Sequence, residues 1–403
     1  MGALLALVLG LTAVSLGLAP LLPPQVMAWP DWLGITLLAV GIFLSLAAGF
    51  LVWRQIKRHL PTKRGGETGL VGFFSEERQR RRGPRVVALG GGTGLSTLLR
   101  GLKEYTDYIT AIVTVTDTGG SSGRLRDELG VLPPGDIRNC LVALADTEPL
   151  MEKLFQYRFK GGTGLAGHSF GNLFLVSMTE VVGDFELAIK ETSRVLAVRG
   201  RVLPSTLSSV TLEAEYTNGR RARGETNIVR PGMRIRRLSL DPADCQPLPE
   251  AIQALEKADL SVLGPGSLYT SVITNILVKD IAVAIRSSSA VKVYVANVMT
   301  QPGETEGYTV ADHVEALIEH GGRGIVDWVL ANNQRVAPEL LSRYRREGAE
   351  PVKISRRSLA RFGVQLKEAP LLAEEEVARH DPARLSRAIL EIMARSPKNS
   401  TRG

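Results

Sequence analysis

The sequence predicts an α/β fold with a mainly parallel sheet, an inserted small antiparallel subdomain, and a two-helix transmembrane hairpin in front. Three observations carry this reading. Two long stretches at the start hold no charge; short β-branched runs then recur, each ending in a glycine-rich turn before a helical pattern; and the block between about 200 and 245 alternates in polarity.

Residues 1–22 and 32–53 are uncharged, and each is close to the ~20 residues that cross a bilayer. The linker PPQVMAWPDW is too short for a domain, so the pair reads as a hairpin. Trp29, Trp32 and Trp53 fall where aromatic belts sit, and the bases RQIKR follow at once. That arrangement places the chain in the cell membrane as a two-pass protein with its main domain in the cytoplasm. A cleaved signal peptide is the rival for the first stretch, since Val26-Met27-Ala28 resembles a cleavage site. The missing positive n-region argues against it.

The net charge of +8 is concentrated rather than spread, because residues 54–85 carry ten bases against three acids. A basic juxtamembrane linker (54–84) therefore explains the basicity, either as a solvated tether or lying on anionic membrane lipid. The body is left nearly neutral, and nucleic acid is not an expected partner. Cys140 and Cys245 show no CxxC pattern, which fits a reducing compartment. His59, His313, His320 and His380 show no ligand spacing, so no metal site is read from them.

The body spans 85–395, with a tail at 396–403. A strand is expected at 85–89, a loop at 90–94 with Gly91, Gly92, Thr93 and Gly94, and a helix from about Leu95. Glycines let backbone N–H groups approach phosphate oxygens, and a helix presents its positive end to an anion. The loop lacks the spacing of a dinucleotide fingerprint and the lysine of a P-loop, so a structural turn is the alternative. A second loop, Gly119-Gly120-Ser121-Ser122, follows a strand at 111–116, and a third, Gly264-Pro265-Gly266-Ser267, follows one near 259–263. Their recurrence on one sheet edge points to a phosphate site.

Asp117 could orient a ribose hydroxyl or hold Mg2+ through water, or simply cap its own loop. Arg124 is a candidate phosphate partner, with surface pairing as the alternative. Asp136, after Pro133-Pro134-Gly135, reads as a helix start. His168 and Asn172, in GLAGHSFGNLFL, read as a general base and a ligand-bonding amide or as a packed turn. No nucleophile elbow supports acyl transfer. TLEAEY before Thr-Asn-Gly-Arg signals a hairpin in the inserted block, whose arginines are read mostly as exposed charge.

The motifs VVALGGGTGLSTLLRGLK, TDTGGSSGRLRDELGVLPPGDIRNCLVAL, GHSFGNLFL, GPGSLYTSVITNILV and NVMTQPGETEGYTVADHVEAL together resemble the YvcK family of gluconeogenesis factors, relatives of CofD, the 2-phospho-L-lactate transferase. The resemblance implies a Rossmann-like fold that binds UDP-N-acetylglucosamine and acts without turnover. It implies support of cell shape and envelope synthesis during gluconeogenic growth, through a protein partner in envelope precursor supply. A homodimer is compatible with it. The second reading is a CofD-like transferase. By the resemblance, Gly91 to Gly94, Asp117 with Gly119 to Ser122, and Gly266, Ser267 and Tyr269 match the three loops. Tyr269 is the residue expected on the uridine or sugar. Thr118 stands where many relatives have a second aspartate, which disfavours a two-carboxylate transferase.

Overall fold

The computed structural model describes residues 80–146, 149–230, 232–373 and 377–396. The expected hairpin (1–53), most of the basic linker and the tail beyond 396 lie outside the described residues. Among the described residues, no single helix is long and apolar enough to cross a membrane.

The strands among them are β1 (Val86–Gly90), β2 (Ile109–Val113), β3 (Arg201–Pro204), β4 (Thr211–Tyr216), β5 (Arg221–Arg223), β6 (Ile235–Asp241), β7 (Leu260–Leu263), β8 (Val291–Val295), β9 (Trp328–Asn332) and β10 (Gln365–Ala369). Seven form one sheet in the order β10-β9-β8-β7-β1-β2-β3, and every neighbouring pair is parallel. β1, β2, β7 and β8 are buried at every position, as a parallel sheet covered on both faces requires.

The two-residue side-chain period divides the core. Val87 and Leu89 pack with helices Pro249–Glu256 and Val310–Gly321 and with the small sheet. Val86 and Ala88 pack with helices Gly92–Leu102, Gly135–Leu144 and Pro382–Arg395. The strand order reverses between β1, which leads outward to β2 and β3, and β7, which leads to β8, β9 and β10. A doubly wound sheet opens a crevice beyond the carboxyl ends of such a pair.

The remaining three strands form an antiparallel sheet, β5-β4-β6. In β4, Leu212, Ala214 and Tyr216 point inward and Glu213 and Glu215 outward. Arg221 and Arg236 pair with Glu215 at 3.4 and 3.3 Å, and Arg223 pairs with Glu213 and Asp241. These are solvated surface charges, as the sequence suggests. The insertion is narrower than expected, because Arg201–Pro204 joins the main sheet beside β2.

Two boundaries move. The strand expected at 111–116 ends at Val113. Beyond it Thr114 and Thr116 turn their hydroxyls onto each other at 3.0 Å. Their β-branching reads as strand, yet the chain has already left the sheet. The first helix begins at Gly92, not near Leu95. Gly92, at φ +62°, makes the reversal within one residue.

Candidate functional site

A cavity of about 560 Å³ opens at the carboxyl ends of β1, β7 and β8. Its near wall is the first glycine loop, Gly91 to Gly94. A Cβ on Gly94 would lie 2.5 Å from the Pro265 carbonyl oxygen and 3.0 Å from the Gly266 Cα. Only a hydrogen fits there, so the first and third loops close back to back.

The third loop is held from the segment after β8. Gln301 Nε2 donates to Ser267 Oγ at 2.9 Å, and Asn297 Nδ2 donates to Gln301 Oε1 at 3.2 Å. The Tyr269 and Thr270 N–H groups both donate to Glu304 Oε1, at 2.7 and 3.0 Å. Glu304 is buried, and burial pushes its carboxyl upward while the two N–H groups draw it back. The N–H groups at the start of this helical segment therefore already have an acceptor, supplied by the protein. Of the three turns expected to welcome phosphate, the third contributes shape and the Ser267 hydroxyl rather than free helix-end donors.

Four carboxylates line the cavity: Glu347, from the segment of Tyr344, and Asp117, Asp136 and Glu225. Asp117 comes from the second loop, where its Oδ1 accepts from the Gly119 N–H at 2.8 Å. Asp136 comes from the start of helix Gly135–Leu144 and Glu225 from the inserted subdomain. Thr118 brings that subdomain in: its Oγ1 accepts from the Thr226 N–H at 3.2 Å and meets Thr226 Oγ1 at 3.2 Å. Burial, then the Asp117 charge, pushes Asp136 up to about 6, while the Gly92 N–H and Arg138 oppose the rise. Burial followed by Asp117, Asp136 and Glu304 pushes Glu225 up to about 8. Nothing in the local pattern marks Glu225 as part of this site, and Asp136 reads in sequence only as a helix start.

The far wall runs from Asn297 to Pro302 and includes Tyr344, Arg379 and His380. His380 is 7% exposed and its Nε2 has no partner. Burial lowers it to about 4, so it stays neutral near pH 7. His380 has no motif around it; only the fold brings it to the cavity.

Seven of the residues singled out from sequence line the cavity: Gly91, Gly92, Thr93, Gly94, Asp117, Gly266 and Ser267. Gly119, Gly120, Ser121, Ser122, Arg124, His168, Asn172, Gly264 and Tyr269 are not on its wall. Ser122 Oγ accepts from the Gly135 N–H at 3.1 Å, tying the second loop to the helix of Asp136. Ser121 Oγ lies 3.0 Å from His168 Nδ1 and accepts from Asn172 Nδ2 at 3.1 Å. This buried network joins two turns, and its serine and histidine do not face the cavity. Tyr269 is 2% exposed, and its hydroxyl meets that of Tyr308 at 2.8 Å.

Among the described residues, no three His, Cys, Asp or Glu side chains are arranged to hold a metal ion. Asp117 and Asp136 fit only the mode in which Mg2+ leans on one or two carboxylates and on ligand phosphates. The cavity itself joins backbone donors, hydroxyls and carboxylates near the glycines to amides, a guanidinium and a neutral imidazole opposite.

The model of the 2-phospho-L-lactate transferase CofD family matches residues 86–372, which include the three glycine loops and the segment Asn297 to Pro302 of this cavity. The chain belongs to the CofD family. Among CofD-family relatives, the Gluconeogenesis factor of Halalkalibacterium halodurans is 52% identical over 307 residues, 76% of this chain and 95% of its own. A relative from Deinococcus radiodurans is 41% identical over 392 residues, 94% of this chain and 83% of its own. A crystal structure of a Bacillus halodurans protein matches with a TM-score of 0.75 at 51% identity, covering 76% of this chain and 99% of that one. Within the CofD family the chain thus stands with the gluconeogenesis factors, the YvcK branch.

Proposed function

We propose that this protein is a membrane-anchored regulator that binds a UDP-sugar, UDP-N-acetylglucosamine, in the switch-point cavity. In this role it supports cell shape and envelope synthesis during gluconeogenic growth, acting on a protein of envelope precursor supply. The observation that carries the reading is the cavity's two-ended polarity. Glycine N–H groups and the Thr93 and Ser267 hydroxyls suit a diphosphate at one end, while Asn297, Gln301 and His380 suit the polar edge of a base or sugar at the other. Its volume falls within the range of small-molecule sites.

The anchoring rests on the two uncharged stretches and the bases after the second. The Deinococcus relative supports a shared N-terminal part, because 94% coverage of this chain must extend into residues 1–79.

A transferase reading keeps one specific support. Thr118 removes a paired carboxylate from the second loop, but Asp136 reaches the same cavity as Asp117. Calorimetry on the full chain in detergent, with UDP-N-acetylglucosamine, GDP and NAD, tests both readings when followed by a product assay. Binding of the UDP-sugar without turnover is expected. No heat with the UDP-sugar overturns the first reading, and product from a nucleotide donor establishes the second.

A further inference from the structure

Three arginines outside the cavity close on four consecutive residues. Arg124, on helix Gly120–Leu129, donates from Nη2 to the Ala166 carbonyl at 2.9 Å. Arg158, after helix Pro149–Gln156, donates from Nη1 to the Gly167 carbonyl. Arg138, on helix Gly135–Leu144, donates from Nη1 to Ser169 Oγ at 2.5 Å. The turn they share is fixed in place. The Phe159 N–H donates to the His168 carbonyl at 2.9 Å, and the Gly167 N–H returns to the Phe159 carbonyl at 2.8 Å. Gly167, at φ +83°, lets the guanidinium of Arg124 approach: a Cβ there would stand 3.0 Å from its Nη2.

None of the three arginines pairs with a carboxylate among the described residues, whereas Arg194, Arg199, Arg221, Arg223 and Arg236 all do. Their shared acceptors are neutral oxygens, as is the Asn139 Oδ1 that accepts from Arg138 Nη2 at 2.6 Å, so no ion pair fixes these charges. They act on one another: after burial, the Arg158 charge is the next cause lowering Arg138. Burial first, then the Arg124 and Arg158 charges, press His168 downward, with Glu128 opposing them. Asp136 and Asp117 offset Arg138, but they face the cavity. Arg138 Nε is also buried without a partner. A guanidinium has five donors in a planar fork, and each arginine here keeps most of them free of protein acceptors.

We propose that Arg124, Arg138 and Arg158 form a second anion site, separate from the cavity, that takes a phosphate group carried by a small molecule. Three converging forks match the oxygens of a tetrahedral dianion and supply the counter-charge that protein carboxylates do not. The site lies beside the Ser121–His168–Asn172 network, which Arg138 meets through Ser169.

Inorganic phosphate is the probe, titrated by calorimetry into the full chain in detergent. The parent is expected to bind it, and the double variant Arg124→Gln/Arg158→Gln to lose about tenfold or more in affinity. Both side chains are exposed, so the variant should keep the parent's thermal midpoint. Arg124→Lys/Arg158→Lys, which keeps charge but not the fork, should fall between. Phosphate binding by the double glutamine variant equal to the parent's would place the ion in the glycine loops and overturn the proposal. Absence of phosphate binding to the parent at about 10 mM, well above the usual range for a built oxyanion site, would also overturn it.

Discussion

The Asp136 carboxylate abuts Gly91 so closely that a Cβ on that glycine would run into its Oδ2, and the Gly92 N–H donates to it. A charge is thus held against the start of the first helix, at the phosphate end of the cavity. Its native pKa of about 6 stands above the ~3.9 of an unfolded aspartate. Between those values the native state binds more protons than the unfolded one, so stability falls as pH rises from about 4 to about 6, and the cost remains above that. Asp136→Asn removes the charge and keeps an oxygen for the Gly92 N–H. It should be more stable than the parent at about pH 7.5, by on the order of 2 kcal/mol, with the difference closing near pH 4. Urea unfolding at the two pH values measures this; a gap independent of pH would exclude the carboxylate as its source.

Gly94→Ala should destabilise by about 1–3 kcal/mol, because the new methyl meets backbone on the third loop and neither side can swing away. Ligand affinity should fall with it, since both loops are walls of one cavity. Paired unfolding and binding measurements on this variant test the contact. Unchanged stability would mean the loops are not in register as described.

Glu304→Ala leaves the Tyr269 and Thr270 N–H groups buried without an acceptor, at a cost of about 2–4 kcal/mol. Both bonds go to the same oxygen, so Glu304→Gln can retain them and should cost far less. The contrast between the two variants in denaturant midpoints is the readout. Equal losses would show that the charge, not the bonds, holds the third loop.

Tyr269→Phe should leave ligand affinity untouched and reduce stability by about 1 kcal/mol, through loss of the hydroxyl pair with Tyr308. Burial already holds the phenol well above its usual pKa. A large loss of UDP-sugar binding in this variant would return Tyr269 to the ligand.

Where the chain punctuates itself, sequence and structure agree. β1, β2, β7 and β8 are short, fully buried runs rich in β-branched residues, three of them followed by glycine loops, and all four are readable. β9 and β10 end in Asn332 and Ala369 without such a turn, and WVLAN and QLKEA are short and partly exposed; nothing local marks them as sheet. The near wall of the cavity was legible because backbone approach demands glycine, and glycine shows in a sequence. Its other residues were not, because Glu225 and His380 arrive through tertiary packing from segments with ordinary local patterns. The burial of Tyr269 was not legible either: proximity in sequence to a loop says nothing about which side of a helical segment faces inward.

β1 and β7 touch across a long stretch of chain: the Arg85 N–H donates to Asp259 Oδ2 over 174 positions. The insertion, the second loop and eight helices lie between them in the chain. Occupancy of the cavity is therefore a certificate of completed folding. A nascent or truncated chain lacking β7 has no wall to set opposite the first glycine loop, so the cavity itself is missing from it.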